Sequence, residues 1–229
     1  MTNRIIVPGP SIGKAFRSTR DFFKDMLKRR VLIPFNLIEQ VRSNPEFMYG
    51  LKHLKDGLRL QGIFRCDQYR NGILIAGGAP ELPNTFTTEG MARLLDIIFG
   101  DVSKAAERIW YVGIFKNNVT PAVGNTASAC LGAAGTYGEC QDADYDDPAT
   151  NKPSYVIATT AEANCSNTVS KAAFVMADAL TVYGAFLSSE KAKTATSGYL
   201  MCAKKFAAAR QVVEDDELYV TYNLSLTTS

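Results

Sequence analysis

The chain has 229 residues, 46% hydrophobic and 21% charged, with a formal net charge of +2. That is the composition of an ordinary globular chain with one large or two small domains, and it excludes collagen, extended disorder and a coiled-coil rod. No apolar run reaches the roughly 20 residues needed to span a bilayer, the first residues show no secretory signal core, and a His-rich zinc site or Ser-His-Asp triad would have to be built on the single histidine, His53.

Residues 1–61 read as a helical region. Ser11 can cap a helix whose Phe16, Phe23, Leu27 and Val31 lie near one face until Pro34 stops it. Lys28, Arg29 and Arg30 close that helix, where cations suit the negative end of the dipole. Asn36 opens a short second helix with Leu37, Ile38 and Val41. Asn44-Pro45-Glu46 is a third start signal, since Asn caps, Pro fits the first turn and Glu favours the positive dipole end. Phe47, Met48, Leu51, Leu54 and Leu58 follow at helical spacing, with Gly57 available to end the helix.

From residue 62 the texture becomes β. Asn71-Gly72 between the apolar-rich segments 63–70 and 73–76 predicts a hairpin, because both turn positions need a positive φ. Thr87-Thr88-Glu89 caps a short helix over 90–99, closed by Gly100. Ile109–Phe115 is apolar throughout and β-branched or aromatic, which predicts a central strand covered on both faces. Residues 116–152 are a long polar excursion, read as a functional or mobile loop. Further strands are predicted at 154–160, 172–177 and 180–188, the last two bracketing Asp178 as a hairpin or one bent strand. Two more follow at 198–206 and 210–213, and the acidic turn 214–217 leads into 218–226, which alternates cleanly. The expected fold class is α+β: an N-terminal helical docking region, 1–61, then an antiparallel β-sandwich, 62–229, with a long loop at 116–152.

Charge is unevenly spread. Residues 1–60 hold twelve Lys and Arg against five Asp and Glu, and residues 61–229 hold thirteen against eighteen. Such a division suits docking on an acidic partner or nucleic acid, and equally suits attraction between the two parts of one molecule or between neighbouring copies. Lys14, Arg17, Arg20, Lys24, Lys28, Arg29 and Arg30 would carry the nucleic-acid alternative.

Catalytic and metal constellations do not emerge. Gly9-Pro10-Ser11-Ile12-Gly13-Lys14-Ala15 is one residue short of a phosphate loop and has Ala15 where magnesium needs Ser or Thr. Asp142, Asp144, Asp146 and Asp147 resemble the start of a calcium loop, but Asp147 stands where the turn needs Gly and Pro153 where a bidentate Glu belongs, so a solvated acidic tip is the favoured reading. The cysteines, Cys66, Cys130, Cys140, Cys165 and Cys202, contain no C-x-x-C pair. They are either five reduced small hydrophobes or, for Cys130, Cys140 and Cys165 in turn-like sequence, late-forming cross-links. The chain is therefore read as a non-enzyme with no cofactor, no metal, no small-molecule substrate and no membrane partner.

Phe64–Gly72, the helix start Asn84–Met91, the strand Trp110-Tyr111-Val112-Gly113-Ile114, and later Val182–Leu187 and Leu218–Tyr222, resemble in their order a group of tailed-bacteriophage structural proteins. The resemblance covers roughly residues 63–229 and rests on short structural motifs. It implies a virion component made in the host cytoplasm. Such a component would dock on the major capsid, portal or neck and tail proteins and assemble with further copies of itself. Lys28, Arg29 and Arg30 would then belong to the docking surface, and Cys130, Cys140 and Cys165 would be the cross-link candidates.

Overall fold

The computed structural model describes residues 58–81, 83–100, 110–158, 163–193 and 195–228. The helices expected before residue 58 lie outside the described residues, and so do Lys28, Arg29, Arg30 and His53. Leu60–Thr227 forms one compact unit.

The expected hairpin is present. Strand β1, Leu58–Arg70, pairs antiparallel with β2, Ile73–Ala76, and Asn71 and Gly72 turn the chain with φ of 50° and 75°. Positive φ at both central positions matches the right-handed twist of the flanking strands, which is why Asn-Gly is placed there. Leu58 belongs to this strand and not to the preceding helical stripe. Along β1 the alternate residues Gly62, Phe64, Cys66 and Gln68 point inward, the period of two expected of a strand with one face on the core.

Helix α1, Thr88–Phe99, begins as its sequence dictates. The Thr87 hydroxyl accepts from the Gly90 N–H at 3.0 Å and also donates to the Leu200 carbonyl. Glu89 accepts from the backbone N–H of Leu200 at 2.7 Å and of Ala127 at 2.8 Å, tying the first turn to two later segments. Gly90 lets the helix lie close on the strand beneath, because a Cβ there would stand 2.4 Å from the Met201 Cα. The Gly100 N–H closes the helix on the Asp96 carbonyl at 2.9 Å.

Two antiparallel sheets result. One runs β2-β1-β11-β8-β5, where β11 is Glu217–Thr228, β8 is Ala172–Met176 and β5 is Tyr145–Asp147; β7, Asn164–Ser166, also pairs with β11. The other runs β3-β10-β9-β4-β6, where β3 is Thr85–Phe86, β10 is Leu200–Val212, β9 is Leu180–Ser188, β4 is Trp110–Phe115 and β6 is Ser154–Tyr155. One core takes residues from both sheets: Phe64, Phe174, Val220 and Tyr222 from the first, and Val112, Ile114, Val182, Cys202 and Phe206 from the second. Residues 111–115 are all buried, as expected of a covered central strand.

Several boundaries differ from the sequence expectation, each because a distant partner decides them. The segments expected as separate strands at 198–206 and 210–213 are the single strand β10. Its pairing with β9 shifts between Lys205 and Arg210, so Phe206–Ala209 bulge out. The bulge accommodates Arg210, which pairs with Glu81 and donates to the Cys66 carbonyl, both buried. Strands β8 and β9 are neither a hairpin nor one bent strand of a single sheet, because they belong to different sheets and the chain crosses between them at 177–179. Among the described residues of the segment expected at 154–160, the strand is Ser154–Tyr155, and Ala158 adds a single backbone bond to the Ser166 carbonyl at 3.0 Å. The excursion 116–152 is packed. It contributes the short helix α2, Ala127–Cys130, and the edge strand β5, and its Cys130, Leu131 and Tyr137 join Phe115, Phe186 and Leu200 in a second buried cluster.

Candidate functional site

The chemistry-bearing groups of the described residues gather where the excursion leaves and rejoins the sheet. Glu139 bridges to Phe115 at the end of β4, and Asn151 bridges to Ala192, so the two ends of the segment are held by backbone pairing. That pairing carries Glu139 and Lys152 inward. Both side chains are buried, and the Lys152 Nζ stands 3.0 Å from the Glu139 Oε1. The remaining groups are satisfied: Glu139 Oε2 accepts from the Gly132 N–H at 2.7 Å, and Lys152 Nζ donates to the Ala192 carbonyl at 2.7 Å. Burial pushes the Glu139 carboxyl up and the Lys152 ammonium down, and their mutual attraction offsets only part of each shift.

Two further ion pairs engage carboxylates of the same excursion, and a third lies in the six-stranded sheet. Lys193 is buried, donates to the Tyr145 carbonyl at 2.8 Å, pairs with Asp142 at 3.0 Å and lies 3.7 Å from the Tyr145 ring centre. Lys116 meets both oxygens of Asp144 at 2.7 and 2.8 Å, and Asp144 also caps the Gln141 N–H at 2.7 Å. Just before β11 Asp216 is wholly buried, bonding Gln68 Nε2 at 2.8 Å and the Arg70 guanidinium at 2.7 and 2.8 Å, both residues of β1. The Arg70 bonds, with Gln68 and the Val213 N–H, outweigh burial and hold the Asp216 carboxyl below the ordinary carboxylate range.

That depression has a sign. The stability it contributes is complete above the unfolded carboxylate pKa of about 3.9 and is lost as pH falls through the lower folded value. Urea unfolding between pH 5 and pH 2 is expected to show a loss of stability that is smaller in Asp216→Asn, which has no carboxylate to protonate. An unchanged acid slope in that variant would refute the assignment.

The residues singled out from sequence fare unevenly. Asp142 and Asp144 are engaged by lysines, while Asp146 and Asp147 stand exposed on β5, so the acidic run does not converge on one point. The reading of all four as a solvated tip is corrected at Asp144, which the Lys116 pair holds in a buried position. Among the described residues no three His, Cys, Asp or Glu side chains are grouped to hold a metal ion. Cys130 and Cys140 are buried, against the exposure expected of turn-like sequence, because the excursion folds onto the sheet instead of leaving it. Cys165 alone of the three keeps part of its surface. Burial raises the thiols of Cys130 and Cys140, and pushes those of Cys66 and Cys202 up to about 12. All five are free thiols.

Glu139, Lys152 and Lys193 were not singled out from sequence. Lys152 falls at the end of the expected loop 116–152, and Lys193 between the strands expected at 180–188 and 198–206. No local pattern marks a lysine for burial, since its partner decides that. Comparison with protein-family models, with curated proteins and with solved structures yields no match.

Proposed function

We propose that this chain is a non-enzymatic structural subunit of a tailed-phage virion. It docks on the capsid, portal or neck and tail as a symmetric homo-oligomer. The observation that carries the reading is a sheet edge left open among the described residues. Strand β2 ends the six-stranded sheet, and its Ile73, Leu74 and Ile75 are exposed in succession, Ile73 at 68%. An exposed apolar edge is a template for pairing with another chain. A second copy offers the matching surface: two β2 strands related by a two-fold axis pair antiparallel and continue the sheet.

The buried charges support the same reading. Glu81 and Glu139 each face a buried cation, and buried Asp216 faces the partly exposed Arg70, as groups that hold a fold together do. The resemblance of the hairpin and central-strand motifs to tailed-phage structural proteins supplies the setting.

Light scattering of the full chain tests the assembly. A stable oligomer is expected, and Ile73→Lys with Ile75→Lys should disperse it to monomer while the fold persists. A wild-type monomer at every concentration would overturn the self-assembly. The virion assignment is tested by the copy number of this chain in purified particles, read against the major capsid protein by quantitative mass spectrometry. A lattice or ring number supports it. Absence from particles, with DNA affinity that falls log-linearly with salt, would replace it with nucleic-acid binding.

A further inference from the structure

The geometry points to a modification site inside the sandwich: we infer that Glu139 and Lys152 condense to an intramolecular isopeptide bond. The inference is independent of the virion reading. It rests on a carboxyl and an amine held in contact, 3.0 Å apart, with both side chains buried.

Three features suit this pair to the reaction and distinguish it from the surface pairs. First, the reactive forms are the neutral amine and the neutral acid, and these are the forms that burial favours at both groups. Transfer of one proton from Nζ to Oε1 along the existing hydrogen bond produces both at once. Second, the oxygen that must bear negative charge in the tetrahedral intermediate has a donor. Glu139 Oε2 accepts from the Gly132 N–H at 2.7 Å, an arrangement that stabilises a developing oxyanion. Third, the product inherits the hydrogen bonds of the reactants. Nζ donates to the Ala192 carbonyl at 2.7 Å, and the amide N–H formed there keeps that partner.

The step balances without an oxidant or cofactor. Nζ attacks the Glu139 carboxyl carbon and the C–N bond forms. The C–Oε1 bond breaks, and Oε1 leaves as water with two of the three ammonium protons. Oε2 remains as the amide carbonyl on the Gly132 N–H, and the third proton remains on nitrogen facing Ala192. Phe186, whose ring centre lies 6.0 Å from Nζ, and the surrounding buried cluster limit the return of water, so hydrolysis is disfavoured. The consequence is a covalent staple between the residue beside β4 and the residue beside the 191–193 turn. It closes residues 139–152 of the excursion into a covalent loop whose two ends are paired by backbone to Phe115 and Ala192.

The test is the mass of the full chain, reduced and fully denatured. The wild type is expected to fall one water, about 18 Da, below its sequence mass. Proteolysis and tandem mass spectrometry should then give a branched peptide joining Glu139 to Lys152. Glu139→Ala and Lys152→Arg should each restore the sequence mass. A wild-type chain at full sequence mass overturns the inference, whether or not the variants fold. A one-water deficit that maps to any other residue, such as an aspartate succinimide, overturns it equally.

Discussion

Lys152→Met is expected to lower the free energy of unfolding by about 3–5 kcal/mol, the usual cost of removing one partner from a buried ion pair. The methionine keeps most of the length and volume of the lysine, so little of the loss comes from packing. What remains is a Glu139 carboxyl that is almost wholly shielded from water and whose other partner among the described residues is the Gly132 N–H. The Ala192 carbonyl loses the Lys152 donor and keeps the Ala195 N–H at 3.1 Å. The loss at Glu139 leaves a carboxylate without its counter-charge in the interior, where the desolvation penalty is not recovered. Urea denaturation at neutral pH with an unchanged m-value checks this. A loss under about 1 kcal/mol would mean that the segment opens and lets Glu139 rehydrate. An isopeptide bond between the same residues would make the variant lose at least as much, so this measurement addresses the site and only the mass addresses the bond.

Tyr222→Ala is expected to cost about 3–5 kcal/mol, the range for truncating a buried aromatic ring. Tyr222 belongs to β11 in one sheet, and its hydroxyl accepts from the Cys202 thiol on β10 in the other at 3.3 Å. Its ring packs on Phe64 with centroids 4.4 Å apart and meets the Tyr155 ring at 5.6 Å and 62°. Truncation therefore opens a cavity between the two sheets. Tyr222→Phe removes only the hydroxyl and its contacts with Cys202 and Asn84, for about 1 kcal/mol. The difference between the two variants, read from thermal or urea unfolding, measures the ring. Equal losses would place the energy in the hydroxyl contacts and refute the packing argument.

Virtually all of what was legible in the sequence was local. Asn71-Gly72 could be read because a two-residue hairpin turn needs positive φ twice, and few residue pairs allow it. Thr87 could be read because a helix leaves N–H groups unpaired at its start, and a hydroxyl three residues before Gly90 reaches one of them. The strand at 110–115 could be read because a short run that is apolar, β-branched or aromatic throughout suits a strand covered on both faces, and the alternation of β11 because side-chain direction along a strand has a period of two.

The sandwich-like pair of sheets was within reach for the same reason, since many short amphipathic strands must bury their apolar faces against one another. The membership of each sheet was not. Strands β8 and β9 have equivalent local patterns, and only the partners available on either side of 177–179 send one to each sheet. Nor could a bulge in β10 be separated from a break, because Glu81, which receives Arg210 there, is 129 residues away in sequence.

The excursion 116–152 shows the division most clearly. Its sequence is polar and rich in small residues, which by itself specifies turns and a chain free to leave the sheet. Tertiary structure folded it back, because Tyr137 could cover Phe115 and Phe186, and because Glu139 and Lys152 could satisfy each other out of water. Sequence alone determined where this chain turns, where its helix α1 starts and which faces of its strands are apolar, since those follow from φ, ψ and periodicity. Burial of a charge is a property of a pair and of the groups that surround it, so the candidate site came into being only when distant segments met.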